Sequence, residues 1–315
     1  MSGRGLGRGS GPPPALAAFA AEVGGEGPVA AEGSRTRWDD GGALAAGTRL
    51  VRAPSGVLEH KPEEMTVRVL AGTLVDELHA ELGARGQRTA LPRRGGTVGG
   101  ALAVGENDVS VLGRGRVRDT LLQVRYVAAD GAVVQGGGPT VKNVSGFDLP
   151  RLIVGSLGTL AILGEVILRT NPVPAHSRWV TSTSADPFAV RDLVRRASCV
   201  LWDGTRTLVE LEGHGLDVEA DLRVLGREAE WTDAGGPLPL PPHRWSLSPA
   251  ALRAIDREAL GDWVASIGVG TVHASRPQPP AAVPAPLAAL AQRVKEGFDP
   301  SGRLAPGRTA WRRAA

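Results

Sequence analysis

The chain is short of several residue types, and each shortage excludes a class of function. Aromatic residues make up 4% of its 315 residues and show no clustering. The 36 basic and 33 acidic residues, net charge +3 and pI near 9.6, are scattered along the chain. A nucleic-acid binder concentrates its cations and adds stacking aromatics, so no nucleic-acid partner is expected. The single cysteine, Cys199, excludes an internal disulfide and suits a reducing cytoplasm. Flanked by Ala197, Ser198, Val200 and Leu201, it reads as a core residue rather than a nucleophile. No apolar run reaches the length of about eighteen residues that a spanning helix needs. Met1–Pro14, rich in Gly and Pro, lacks the apolar centre of a secretory signal and reads as a disordered lead. A cytoplasmic location is expected, with any membrane association peripheral, at the inner face and through partners. No two of the histidines His60, His79, His176, His214, His243 and His273 stand at metal-ligand spacing, so no metal site is expected.

Glycine, by contrast, is plentiful, and its placement is informative. Leu91–Ala103 sets Gly95, Gly96, Gly99 and Gly100 around the hydroxyl of Thr97. A phosphate needs convergent N–H donors with no bulk before them, which such a run can supply as an anion nest. No Gly-Lys-Ser/Thr follows, so it is not a nucleotide P-loop, and the dinucleotide spacing G-x-G-x-x-G is missing. Gly113–Asp119 adds Arg114, Arg116 and Arg118, either phosphate donors or a solvated basic loop. Gly138–Arg169 crowds Lys142, Asp148, Gly155 and Gly158 between apolar runs. It reads equally as a cofactor cradle and as a Gly-rich turn between two strands.

The segments Thr97–Gly100, Gly115–Asp119, Lys142–Leu149 and Gly155–Leu160 occur in the order found in FAD-binding flavoproteins of the vanillyl-alcohol oxidase/p-cresol methylhydroxylase (PCMH) type, which the chain resembles. Within that family it is most similar to the group of the glycolate oxidase E subunit, and Gly297–Arg308 resembles the family's C-terminal signature. The resemblance covers roughly residues 28–172 and 268–308 and implies an α+β fold: a PCMH-type two-subdomain FAD-binding domain with a small ferredoxin-like antiparallel cap. It also implies FAD as cofactor, held by Gly33, Ser34, Arg35, Thr36 and Arg37 in the first phosphate loop and by Pro92, Gly96, Thr97, Val98, Gly99, Gly100 and Ala101 in the second. Further along, Arg114, Gly115, Arg118, Asp119, Lys142, Asp148, Gly155, Gly158, Thr159, Ile162, Glu165 and Val166 complete the implied set. Ser34 and Arg35 stand where the family has glycine, with Glu32 beside them, which makes this loop the family's weakest match. It contains no histidine for covalent attachment, so FAD is expected to bind non-covalently.

Along the chain, a lead at 1–14 is followed by an FAD-binding domain at 15–173, a cap at 174–265 and a return segment at 266–315 that packs on the first domain. Thr66–Leu70 alternates like a strand; Thr73 with Asp76 suggests a capped helix with Leu74, Leu78 and Leu82 on one face, ending at Gly83. Asp130-Gly131 between Leu121–Ala129 and Ala132–Gln135 signals a hairpin. Trp179 to Thr232 reads β-α-β-β-α-β, the ferredoxin-like order.

Oxidation of a small 2-hydroxy acid such as glycolate needs a cation for the carboxylate and a base for the hydroxyl. His273, where larger relatives carry an active-site histidine, is the candidate base, and Arg276 the candidate carboxylate ligand; a strand-end histidine and a solvated arginine are the plainer readings. The other histidines read as surface residues. Two functions follow: an FAD-dependent oxidoreductase subunit passing electrons to a partner, or a non-catalytic subunit supporting a larger flavoprotein. The resemblance implies that larger flavoprotein and an iron–sulfur subunit as partners.

Overall fold

The computed structural model describes residues 12–138, 148–279 and 282–310. Lys142 and the lead up to residue 11 lie outside the described residues. No described helix is long and apolar enough to cross a membrane.

The first unit has two lobes. In one, α1 (Pro14–Val23) packs over a parallel pair, β1 (Val29–Ala31) and β2 (Arg49–Val51). The other is built on an antiparallel sheet. Its strands are β3 (Val57–Lys61), β4 (Thr66–Leu70), β6 (Leu121–Val127), β7 (Val133–Gly137) and β8 (Ile162–Arg169), and β5 (Gln87–Arg88) pairs separately with β9 (Asn171–Pro172). The sheet order is β3-β4-β8-β6-β7. The apolar run of β8 suits the central place, and its buried charge, Glu165, lies against Arg125 of β6 at 3.3 Å. Helices α2 (Val75–Gly83), α3 (Val98–Val104), α4 (Val111–Arg114), α5 (Val117–Thr120) and α6 (Leu149–Ile153) connect these strands. The hairpin expected at Asp130-Gly131 forms, with Gly131 at φ 86°.

Two local expectations give way to tertiary contacts. Thr73 does not cap α2: its hydroxyl donates to the carbonyl of Leu70 and accepts from the N–H of Gly56, and the helix starts at Val75. Leu74 consequently stays on the surface, whereas Leu78 and Leu82 enter the core. His79, expected on the surface, is buried and hydrogen-bonded to the carbonyl of Leu91.

The second unit is one antiparallel sheet in the order β13-β10-β12-β11-β15-β16-β14. Its strands are β10 (His176–Ser182), β11 (Cys199–Trp202), β12 (Thr207–Gly213), β13 (Thr232–Ala234), β14 (His243–Ser246), β15 (Trp263–Ser266) and β16 (Thr271–Ala274). The first four strands with α7 (Pro187–Leu193) and α8 (Gly215–Leu225) have the ferredoxin-like order 4-1-3-2. The boundary expected at residue 265 falls inside the β15–β16 hairpin, so part of the expected return segment belongs to this sheet. One face carries Val180, Val200, Val209, Val272 and Ala274 under the helices; the other carries Cys199, Leu201, Leu208 and Val264 and packs on Val109 of the first unit. The short α9 (Arg257–Leu260) and the long α10 (Ala285–Phe298) complete the chain.

Between the units lies a buried charge cluster. Arg88 grips Glu212 with two bonds of 2.5 and 2.8 Å, Ser110 donates to Glu210, and Arg114 lies 3.4 Å from Glu210 and 3.5 Å from Asp108. Burial pushes the Glu210 carboxyl up, and Glu212 and Asp108 reinforce it. The chain then returns to the first unit, where Arg303 spends all five N–H donors on the carbonyls of Val23, Gly24, Glu26, Gly27 and Ala129.

Candidate functional site

Three cavities run in series from the first unit to the sheet of the second. The first, about 840 Å³ counted to its open mouth, lies between the loop Glu32–Trp38, the start of α3 and the turn before β8. Its floor is made of small apolar residues, Ala31, Ala53, Ala71, Ala103 and Ala161. Among the described residues, the backbone N–H groups of Gly33, Ser34, Arg35, Thr36 and Arg37 have no hydrogen-bond partner. Arg35 sits at φ 56°, so a residue with a side chain holds the left-handed turn for which the family uses glycine. Glu32 does not act as a free anion here: Arg52 and Arg35 bond it and hold its carboxyl below the usual range. The guanidinium groups of Arg35 and Arg308 lie 4.8 and 4.4 Å from the ring centre of Trp38. Arg308 Nε and Arg37 Nη2 are buried without a partner among the described residues. Unpaired amides, orphaned guanidinium N–H groups and an apolar slot fit a large anionic cofactor with a flat ring, and therefore FAD.

The glycine run Gly95–Gly100 contributes differently from the nest expected of it. The N–H of Val98 is bonded to Thr73, that of Gly99 to Ala71 and that of Gly100 to the Thr97 hydroxyl. Its glycines serve packing instead: a Cβ at Gly99 would meet Ala71 Cβ at 2.9 Å, and one at Gly96 would meet Thr36 Oγ1 at 2.8 Å. Gly158, at φ 77°, has open space before it and lines the cavity.

The other residues named from sequence lie elsewhere. Pro92, Val98, Ala101 and Val166 are buried beneath the cavity, and Ile162 belongs to the core under α1. Arg114 enters the interdomain cluster, and Gly115 ends α4 at φ 84°. Arg118 and Asp119 are half-exposed neighbours. Asp148 caps α6 by accepting from the N–H of Arg151. Gly155 donates to Leu102, Thr159 to Ser156, and Glu165 pairs with Arg125.

The second cavity, about 1430 Å³ counted to its open mouth, begins where the first ends, at Arg35–Trp38, and reaches Arg94, Glu106, His243, Arg244 and Gln278. The third, about 720 Å³, shares Arg94 and Glu106 with it and is lined further by Asp108, Ser110, Glu210 and His273. Glu106 is the hinge of charge. It accepts from Arg37 and, at 2.7 Å, from Arg94; burial alone would raise its carboxyl, but these arginines outweigh burial and hold it below the usual range. Arg244 lines the second cavity, and among the described residues its guanidinium makes no hydrogen bond or ion pair. Register places Arg244 directly opposite His273 in the β14–β16 ladder, so both side chains project from one face. His273 is 2% exposed; burial, with Arg94 Nη1 at 3.5 Å from its Nδ1, pulls its pKa down to about 4. Arg276 turns outward and donates to the carbonyl of Glu258, outside all three cavities.

Trp38, Arg94, Glu106, Arg244 and Arg308 were not among the expected site residues, although Arg94 and Arg308 lie in the segments Leu91–Ala103 and Gly297–Arg308. The one available signal was alternation in His243–Ser246, which puts His243 and Arg244 on opposite faces of a strand.

The family described as "FAD binding domain" matches residues 16–137. Glycolate oxidase subunit GlcE of Escherichia coli (strain K12) is 27% identical, over 89% of this chain and 92% of that protein. Glycolate oxidase subunit GlcD of Bacillus subtilis (strain 168) is 29% identical over 47% of this chain and 32% of its own length. Among solved structures, alkyldihydroxyacetonephosphate synthase superposes with a TM-score of 0.62 at 15% identity, covering 92% of this chain and 73% of that one, a likeness of fold.

Proposed function

We propose that this chain, whose residues 16–137 match the FAD binding domain family, is an FAD-dependent oxidoreductase that oxidises a small 2-hydroxy acid such as glycolate and passes the electrons to a partner protein. The pairing of Arg244 with His273 on one face of the β14–β16 ladder carries this reading. Directly opposed residues in such a ladder have Cβ atoms roughly 5 Å apart, close enough for two long side chains to reach one small substrate. Arg244, free of an internal partner, takes the carboxylate, and Arg94 reaches the same space from the first unit. His273 is neutral at physiological pH, the state in which an imidazole can receive the hydroxyl proton. FAD, when bound, supplies the hydride acceptor. Subunit names among the relatives support a complex with a larger flavoprotein, to which an iron–sulfur protein would add the electron route.

The test is anaerobic mixing of the yellow protein with glycolate or lactate, read as bleaching of the flavin absorbance. Both are expected to bleach it, and R244M is expected to weaken apparent affinity about 30-fold or more, as loss of one partner of a buried charge pair does. Flavin that neither acid bleaches, with or without the larger flavoprotein, would leave the scaffold role instead.

A further inference from the structure

The charges around His273 do not balance. Arg37, Arg94 and Arg244 face a single carboxylate, Glu106. From the third cavity Arg93 and Arg114 are set against Asp108 and Glu210, with Arg114 and Asp108 paired at 3.5 Å. The N–H of Arg94, which can only donate, lies 3.5 Å from Nδ1 of the imidazole, so this nitrogen bears the lone pair. The nitrogen that must take a proton is therefore held by a cation, with a second cation, Arg244, opposite it in register. This suppresses proton uptake when the site is empty.

We propose that the substrate's own carboxylate arms the base: bound between Arg244 and Arg94, it neutralises the cations that keep Nδ1 of His273 from accepting a proton. It rests on the carboxylate site proposed above and adds a rule of selectivity. A 2-hydroxy acid brings the charge that activates His273, whereas a neutral alcohol of the same size does not. In the reaction the C–H bond of the substrate breaks, with the hydrogen and both electrons going to the flavin. The O–H proton passes to Nδ1, and the C=O of the 2-oxo acid forms. Arg94 thus acts as a positioning residue, through the imidazole. An opposite charge within about 4–6 Å favours the protonated imidazole by one to three pH units, the scale needed to bring the base toward its working range.

Long-range 1H–15N NMR of the FAD-loaded full chain reads the imidazole directly, with His273 assigned by its loss in H273N. Oxalate is the probe, since it carries carboxylates but no C–H bond to break. In the free protein about one tenth of His273 is expected to be protonated at pH 5, given its pKa of about 4. Saturating oxalate is expected to bring that fraction to about one half or more. R244M should abolish the rise, and R94Q should increase the protonated fraction without ligand and leave less for oxalate to add. Oxalate that saturates its chemical-shift changes while the fraction stays at its starting level overturns the proposal alone. Oxalate that produces no saturable change removes the carboxylate site on which it rests.

Discussion

The first and second cavities share the wall Arg35–Trp38, yet they are built from opposite materials. Beneath the loop Gly33–Arg37 the recognition elements are backbone amides, small apolar side chains and glycine turns. Beneath the sheet they are long charged side chains, Arg94, Glu106, Arg244 and, just behind, His273, delivered by strands and loops far apart in the chain. A site made of backbone depends on local chain shape, which short motifs record. A site made of side chains depends on which strands pair, and no motif records that.

The largest effect should come from detaching the first half from its anchor. R303M removes a donor from five carbonyls, of which only that of Val23 keeps another among the described residues, from Arg49, and is expected to lower stability by about 3–5 kcal/mol in urea unfolding and to abolish FAD retention. R276M, at an exposed arginine of the second half, should stay within about 0.5 kcal/mol of the parent.

Both halves should lose stability in acid, the first through buried His79 and the second through His273. Because the folded pKa of His273, about 4, lies below that of the unfolded chain, the unfolded state binds more protons in between. Stability is therefore unaffected above about pH 6.5 and falls as pH drops from there toward 4, by up to about 3 kcal/mol. Urea titrations at pH 7 and pH 5 should show the fall, and H273N should remove that part of it.

Two glycines sharpen the comparison at a smaller scale. G99A forces a methyl against Ala71 and should cost about 1–3 kcal/mol of stability. G158A meets nothing within 4 Å, so it should cost only about 1 kcal/mol of left-handed strain while lowering FAD affinity, read by flavin fluorescence. Equal unfolding midpoints for the two would contradict their placement. The smallest change belongs to Arg35: R35G removes its left-handed strain together with its stacking on Trp38, and the midpoint should move by less than about 1 kcal/mol.

Legibility in the sequence follows the same division. The hairpin at Asp130-Gly131 and the ferredoxin-like succession were readable, because turn chemistry and alternation are local. Thr73 was misread because its hydroxyl bonds Leu70 and Gly56, and Gly56 comes near only in the fold. Thr97–Gly100 has the composition of a nest, but Ala71 and Thr73 take the amides of Gly99 and Val98, and the Thr97 hydroxyl that of Gly100; open amides lie in Gly33–Arg37, the loop whose glycines are partly replaced. Arg244 became visible only once β14 was seen to lie against β16.

The grip of Arg303 on the first lobe also orders events in time. Its bonds reach back across 174 to 280 residues, from the far end of the chain to α1 and the turn that follows it. On a ribosome the loop that faces the cofactor is made early but cannot be fixed until residue 303 has emerged and found those carbonyls. The second unit, whose sheet closes on itself between residues 176 and 274, can fold before that moment. FAD therefore meets a site whose lid already exists and whose floor is the last part to set.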